Sequence, residues 1–245
     1  MEEQPLPGGF VTSVVRAGDT VRRVPPPDAP FVHALLGLFE HHGWHGAPRF
    51  LGTDESGREV LSFIDGHVPW QADQPADLGA PDSLAEVARL VRQFHDLTAG
   101  TPLARDQDVV CHNDLSPKNT VYRDSGAGLR PVAFIDWDIA APGARIHDLA
   151  HVCWQYIGLG PAIADTALAG QRIRLICSAY GLADRRPLID TIVWWQDRCW
   201  RGILAKAAAG EPAMMRLRDS GVVDSVRDAA HWVTDNRAEL AAQLG

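Results

Sequence analysis

The sequence predicts an α+β fold with a small β-rich N-terminal part and a larger, mostly helical C-terminal part. Short β-prone runs separated by turn residues dominate residues 1–66, whereas apolar patterns of helical period dominate residues 67–245. With 245 residues and 46% hydrophobic content, the chain can bury a substantial core. We therefore expect one two-lobed unit that divides near residue 66, rather than two independent domains.

The N-terminal part is predicted to hold two strand pairs and one helix. Ala17-Gly18-Asp19 is a hairpin signal between the first two β-prone runs. The prolines 25–27 then stop the second run, and apolar residues recur at helical spacing after them. These patterns predict strands over residues 11–16, 20–24, 49–52 and 59–64, with a helix over 31–42.

The C-terminal part is predicted to be built from amphipathic helices around one β-hairpin. Ser83 to Glu86 fits a capping box at the start of the first helix. The turn-rich segment 124–128 separates two short β-prone runs. The expected hairpin strands cover residues 120–123 and 132–135, and the expected helices cover 83–100, 148–157, 161–180, 187–209 and 222–244.

Asp114, Asn119 and Asp136 carry the strongest chemical signal. In kinase-type phosphoryl transfer, an aspartate accepts the proton of the attacking hydroxyl, an asparagine five positions later binds magnesium, and a later aspartate holds the metal against the phosphates. The three residues occur in that order, and the hairpin should bring Asn119 and Asp136 to one end, where their oxygens suit Mg²⁺. The alternative is that all three are ordinary turn and capping residues.

The segments Cys111 to Thr120 and Phe134 to Asp138 resemble the signatures of the aminoglycoside phosphotransferase and choline kinase family, small-molecule kinases with a protein-kinase-like fold. The resemblance implies that Asp114 is the catalytic base, that Asn119 and Asp136 hold Mg²⁺, and that Asp138 lies beside them on the substrate side. ATP would be the co-substrate, and GTP is not excluded. Asp148 would stabilise the loop around Asp114, with a helix N-cap as the alternative role.

The same resemblance implies nucleotide contacts in the N-terminal part. Gly9 lies in a Gly-Gly pair where such kinases cover the phosphates, although a simple turn would also explain the pair. Ser62 and Ile64 belong to the segment that would bind adenine through backbone groups. Lys118 could neutralise phosphate charge.

Arg23 stands where the family has a lysine that contacts the phosphates. Arginine retains the charge but offers a planar fork instead of a compact ammonium. The glutamate that normally pairs with this lysine is also missing, because the nearest helix positions carry Val32 and His33. A pseudokinase that binds a nucleotide or a small molecule without catalysis is therefore the alternative to an active enzyme.

Charge and composition restrict the partners. The formal net charge of −8 argues against nucleic acid and is compatible with a cationic small substrate. No apolar run approaches the roughly 18 residues of a membrane span, and the N-terminus lacks the pattern of a signal peptide. We expect a cytoplasmic protein with a nucleotide and a hydroxylated small molecule as partners, and neither nucleic acid nor a membrane.

The acceptor site is expected in the helices that follow the metal motif. Tryptophan faces and carboxylates can bind an ammonium group through cation–π and charge contacts. We therefore single out Asp197, Trp200 and Glu211 for an amine-bearing acceptor such as an aminoglycoside. Core packing of at least two of the tryptophans Trp194, Trp195 and Trp200 is the alternative. The sequence thus predicts ATP-dependent transfer of the γ-phosphate to a hydroxyl of a small molecule.

Overall fold

The computed structural model describes residues 3–7, 14–70, 75–126 and 128–245. The predicted phosphate contact at Gly9 and the first residues of the strand expected over 11–16 lie outside the described residues. The predicted fold class is confirmed, since a small antiparallel sheet with one helix precedes a mostly helical second part. Within the described residues, no helix combines the length and the apolar character that a membrane span requires.

The N-terminal part is a five-stranded antiparallel sheet in the order β1-β2-β3-β5-β4. A tight turn at Gly18, whose φ is 62°, joins β2 and β3. The helix packs its apolar face, which includes Leu35 and Phe39, into the core. The elements are β1 (Gln4–Pro5), β2 (Val14–Ala17), β3 (Thr20–Arg23), α1 (Ala29–His41), β4 (Phe50–Thr53) and β5 (Glu59–Ser62).

The pairing of β3 with β5 determines where two adjacent arginines point. Arg23 lies opposite Glu59 and Arg22 lies opposite Val60. Because successive side chains of a strand point to opposite faces, Arg23 turns into the protein and is only 8% exposed. Arg22 faces the other side, where its guanidinium lies 3.8 Å from the carboxylate of Asp54.

The second part contains the predicted hairpin and a set of packed helices. Its elements are α2 (Pro81–Thr98), β6 (Val109–Cys111), β7 (Thr120–Asp124), β8 (Leu129–Phe134), β9 (Ala141–Gly143), α3 (Arg145–Ile157), α4 (Thr166–Tyr180), α5 (Leu188–Ala208), α6 (Pro212–Asp219), α7 (Val222–Asp235) and α8 (Arg237–Ala242). The short strand β9 pairs with β6, and β7 pairs with β8.

Several sequence predictions about helix ends are wrong. Helix α3 begins at Arg145 instead of residue 148, and α4 begins at Thr166 instead of residue 161. Helix α2 begins at Pro81 instead of Ser83, because proline at the first turn has a preset φ and needs no hydrogen-bonded N–H. Ser83 is consequently buried in the first turn, and its hydroxyl does not act as a cap. The helix expected over 222–244 divides at Asn236 into α7 and α8.

A group of aromatic rings joins the two parts of the protein. Trp137, which follows β8, lies with its ring centroid 5.1 Å from Phe39 of α1 and 5.1 Å from Phe94 of α2. The indole nitrogen of Trp137 also donates to the carbonyl of Phe134 at 3.0 Å. Trp137 is therefore a fixed point from which its neighbours Asp136 and Asp138 reach the cleft between the two parts.

Candidate active site

The loop over residues 112–119 follows the buried strand β6 and is held by one carboxylate. Asp148, fully buried in α3, accepts hydrogen bonds from the backbone N–H groups of His112 at 2.7 Å and Asn113 at 2.9 Å. Its Oδ2 also lies 3.1 Å from His95 Nε2. Because α3 begins at Arg145, Asp148 lies inside the helix and is not its N-cap.

The surroundings of Asp148 favour its charged form. Burial alone would raise the pKa of this carboxyl, but the hydrogen bond with His95 and the contacts with the 112–119 loop outweigh burial and lower the pKa below its usual value. A buried carboxylate that accepts several hydrogen bonds is a rigid anchor, since losing any partner would leave a charge unpaired. The loop is therefore fixed from below at His112 and Asn113.

Asn113 and Asp136 adopt the left-handed backbone conformation, each with a φ of 66°. Asparagine and aspartate enter this region more readily than other residues with a side chain, although it still costs about 1 kcal/mol. The side-chain nitrogen of Asn113 donates to the carbonyl of Ile139 at 2.9 Å, which ties the 112–119 loop to the segment after β8. Both backbone outliers thus lie where two loop segments meet.

The side chains of Asp114 and Asn119 are hydrogen-bonded to each other. The amide nitrogen of Asn119 donates to the Asp114 backbone carbonyl at 2.9 Å and to its Oδ2 at 2.8 Å. The backbone carbonyl of Asn119 accepts from the N–H of Ile135 at 2.9 Å. The predicted hairpin therefore exists, and it brings Asn119 next to the turn that carries Asp136.

Arg23 reaches this turn from the sheet. Its Nη1 donates to Asp136 Oδ1 at 3.2 Å, its Nη2 donates to Asp138 Oδ1, and its Nε donates to Glu59 Oε1 at 2.6 Å. One guanidinium thus faces three carboxylates. Burial raises the pKa of Asp138 to about 6; the neighbouring Asp136 acts in the same direction, and Arg23 opposes it.

The donor set suits a magnesium ion. The amide nitrogen of Asn119 is engaged by Asp114, which leaves its Oδ1 available to a metal ion. The side chain of Asp136 is 45% exposed and supplies carboxylate oxygens, the ligands that hard cations prefer. The negative charge around Arg23 exceeds its single positive charge, so a divalent cation would balance the group.

Glu59 is the site residue that sequence reasoning missed. The sequence predicts no acidic partner for Arg23, because the nearest helix positions carry Val32 and His33, whereas the structure has Glu59 on β5 directly opposite Arg23. His33 contacts the other oxygen of Glu59, with 2.7 Å between its Nε2 and Oε2. A cross-strand search for acidic residues opposite Arg23 would have found this partner.

Ser62 and Ile64 lie together on the wall of a cavity between the two parts. This hinge cavity has a volume of about 430 Å³, and its lining residues are His45, Ala47, Arg49, Ser62, Phe63, Ile64, Arg123 and Val132. Its size is in the range of small-molecule sites. Lys118 is exposed in a short 3-10 helix over Pro117–Asn119.

The three residues singled out for the acceptor lie on α5 and directly before α6. Trp195 is buried in the core and Trp200 is half-buried against it, as the core-packing alternative predicts for two of the three tryptophans. Asp197 accepts a hydrogen bond from Arg201 at 2.6 Å, and Trp200 has the guanidinium groups of Arg201 and Arg227 at 4.4 and 4.8 Å from its ring. Glu211 is exposed before the first turn of α6. Their role as acceptor contacts stays a prediction.

Other polar side chains of α3 and α5 lie closer to the 112–119 loop. His151 is buried and stacks on Trp195 with 5.2 Å between ring centroids. Burial lowers the pKa of His151 to about 4, although the charge of Asp114 acts in the opposite direction. Burial raises the pKa of Cys199 to about 11, and Asp114 adds to this effect. His151 on α3 and Cys199 on α5 are thus both within electrostatic reach of Asp114.

Comparison with known proteins places this site in a family. The sequence model of the phosphotransferase enzyme family matches residues 101–188, which contain the 112–119 loop, the hairpin and Asp148. The trifolitoxin immunity protein of Rhizobium leguminosarum bv. trifolii is 30% identical over 274 aligned positions, which cover 98% of this chain and 97% of that protein.

Solved structures share the fold at low sequence identity. A choline/ethanolamine kinase family protein from Mesorhizobium loti superposes with a TM-score of 0.62 at 17% identity, covering 100% of this chain and 92% of the other. Aminoglycoside phosphotransferase APH(3'')-Id from Streptomyces rimosus, in complex with ADP and streptomycin, has a TM-score of 0.57 at 18% identity, covering 79% of this chain and 90% of the other.

Proposed function

Because the chain belongs to the phosphotransferase enzyme family of aminoglycoside phosphotransferases and choline kinases, we propose that it transfers the γ-phosphate of ATP to a hydroxyl of a small molecule. The observation that carries this proposal is the bonded group of Asp114 and Asn119, which the hairpin holds beside Asp136. Turn residues with purely local roles would not need a buried carboxylate, Asp148, to fix the loop that bears them.

Asp114 is the proposed base. Its Oδ2 holds the amide of Asn119, so Oδ1 is the oxygen that receives the proton of the acceptor hydroxyl. The bond to Asn119 fixes the carboxylate in one orientation before the acceptor arrives. Such positioning contributes much of the acceleration in phosphoryl transfer, because the protein forms no covalent bond to the phosphate.

Asn119 and Asp136 would hold Mg²⁺, which supplies charge neutralisation on the phosphate oxygens when it is bound. Arg23 and Lys118 add positive charge from two directions, one from the sheet and one from the 112–119 loop. Preorganised charges of this kind stabilise the transition state without the reorganisation that water would need.

The hinge cavity with Ser62 and Ile64 is the proposed place of the nucleotide base. Its backbone groups would bind either adenine or guanine, so GTP is an alternative co-substrate. The ADP complex of the Streptomyces rimosus enzyme supports a nucleotide in this fold.

The proposed acceptor is a hydroxylated antimicrobial molecule. Two relatives support this class: an immunity protein with near-complete coverage and a phosphotransferase with bound streptomycin. An amine-bearing acceptor is the narrower form of the proposal, with Asp197, Trp200 and Glu211 as its contacts. The present partners of Asp197 and Trp200 are arginines, so an amine would have to compete with guanidinium groups there.

A non-catalytic binding protein is the second candidate. It is favoured by one observation, namely that Arg23 occupies the two carboxylates of Asp136 and Asp138. A pseudokinase of this kind would bind a nucleotide or small molecule and transfer no phosphate.

A phosphorylation screen separates the two candidates. The protein is incubated with Mg-ATP and a panel of hydroxylated antimicrobial compounds, in pairs that differ only in an amino group, and products are detected by mass spectrometry. We expect a phosphorylated product with the wild type and a rate of product formation lower by about 10²–10⁴-fold with Asp114→Asn under the same conditions. Nucleotide binding without any phosphorylated product would favour the non-catalytic candidate.

The same screen tests the amine. If an amine is bound by Asp197 or Glu211, acceptors with an amino group are preferred, and Asp197→Asn and Glu211→Gln weaken that preference. Because the screening length is about 8 Å at physiological ionic strength, the preference should also decline as salt rises. Preference for neutral acceptors, or indifference to both substitutions, contradicts the amine-bearing form while leaving the kinase proposal intact.

A further inference from the structure

A continuous chain of polar contacts runs from α1 through the sheet to the turn at Asp136. His33 of α1 contacts Glu59 Oε2 at 2.7 Å, and Arg23 donates from Nε to Glu59 Oε1 at 2.6 Å. The two Nη groups of Arg23 then donate to Asp136 and Asp138. We call these five residues the Arg23 network.

We propose that Glu59, anchored by His33, is a positioning residue that orients Arg23 for contact with the nucleotide phosphates. The proposal rests on the kinase function proposed above. Glu59 takes the place of the helix carboxylate that the sequence lacks, and it does so from the neighbouring strand instead of from α1. Helix α1 remains connected to the guanidinium of Arg23, because the imidazole of His33 contacts Glu59.

The geometry of arginine is essential to this arrangement. A guanidinium carries donors on Nε and on both Nη atoms in one plane, so a bond from Nε to Glu59 also sets the direction of the two Nη groups. A lysine has a single ammonium nitrogen, which could contact Glu59 or the turn at Asp136 but not both. The orientation of Arg23 therefore depends on Glu59, and Glu59 can set it only because position 23 is an arginine.

Glu59 is well fixed as the centre of the network. Its side chain is fully buried, and each of its oxygens has a different partner. The imidazole of His33 stacks on Phe50 of β4, with 3.6 Å between centroids and an interplanar angle of 14°. A buried carboxylate held on both sides keeps its partner in one orientation, whereas an exposed one would allow several.

Calorimetry of nucleotide binding tests the proposal without an acceptor. We expect Glu59→Gln to weaken Mg-ADP binding by about 10–100-fold, the usual cost of losing an outer contact to a metal-site group, and to leave adenosine affinity unchanged. Glu59→Asp keeps the charge and should restore part of the ADP affinity. The matched control is Asp54→Asn, which removes a carboxylate from the opposite face of the same sheet, where it pairs with Arg22 and Arg58. This control should bind Mg-ADP as the wild type does.

Arg23→Lys provides a second test, in which the buried side chain of Glu59 is left unchanged. We expect it to lose Mg-ADP affinity to a similar extent, although the charge is retained. Wild-type Mg-ADP affinity in Glu59→Gln or in Arg23→Lys would overturn the positioning role, as would an equal loss of adenosine affinity in Glu59→Gln. A wild-type protein that binds no magnesium nucleotide would overturn the proposed kinase function together with it, so the two failures are distinguishable.

Discussion

Replacing Asp148 by asparagine should destabilise the protein and loosen the 112–119 loop at the same time. Asp148 accepts from the backbone N–H groups of His112 and Asn113 with different oxygens. An asparagine has only one side-chain oxygen, so its amide N–H₂ would face one of these N–H donors and leave that donor buried without a partner. An unsatisfied buried donor costs about 1–3 kcal/mol, and His95 Nε2 loses its carboxylate partner as well.

We therefore expect the free energy of unfolding to fall by about 1–3 kcal/mol, the cost of one buried donor left without a partner. Urea titration followed by tryptophan fluorescence measures this change, with an unaltered m-value as the sign that the denatured state is the same. The control is Asp184→Asn, an exposed carboxylate bonded to Arg186, which should change stability by no more than about 0.5 kcal/mol. A loss below about 1 kcal/mol in Asp148→Asn would refute the anchoring role.

Two further predictions concern charge. Arg23→Ala should weaken ATP binding more than adenosine binding, because Arg23 faces the candidate phosphate site. Calorimetry should show no change in either affinity for Arg22→Ala. An effect at Arg22 but not at Arg23 would contradict the observed strand register. Burial lowers the pKa of His151 from 6.5 to about 4, so the unfolded chain binds more protons than the folded protein between these pH values. Acidification through this range should therefore lower the free energy of unfolding by up to about 3 kcal/mol. This contribution is complete above pH 6.5 and declines as the pH falls towards 4. Urea titrations at several pH values give the free energy of unfolding as a function of pH. Its pH dependence should be weaker in His151→Gln and should equal that of the wild type in the control His231→Gln, whose histidine is exposed.

The elements with strong local signals were predictable from the sequence. The hairpin that joins Asn119 to Asp136 follows from two β-prone runs around a turn-rich segment, and β7 and β8 pair as that pattern predicts. The buried face of α2 likewise follows from its apolar period, which includes Val91 and Phe94. Helix ends were less predictable, because Pro81 outweighed the capping pattern at Ser83.

Contacts that depend on tertiary pairing were harder to predict. Glu59 lies far from Arg23 in sequence, and only the register of β3 against β5 makes them partners. Local pattern alone places Asp148 only near a helix start, because the backbone groups it binds belong to another segment. Its hydrogen bonds to the 112–119 loop were expected from the family resemblance, and the structure contains them. The pair of Asp197 with Arg201 was predictable, since an i,i+4 spacing on a helix brings opposite charges together.

Single-turnover kinetics tests the central claim most directly, with Asp114→Asn and Asp136→Asn compared against the wild type. Rates of phosphoryl transfer to an acceptor found in the screen are measured together with Mg-ATP affinity. We predict that Asp114→Asn keeps the affinity and loses about 10²–10⁴-fold in rate, the usual contribution of a general base. Asp136→Asn should lose Mg-ATP affinity as well, because it would remove a metal ligand. Wild-type turnover in Asp114→Asn would contradict the assignment of this residue and with it the proposed mechanism.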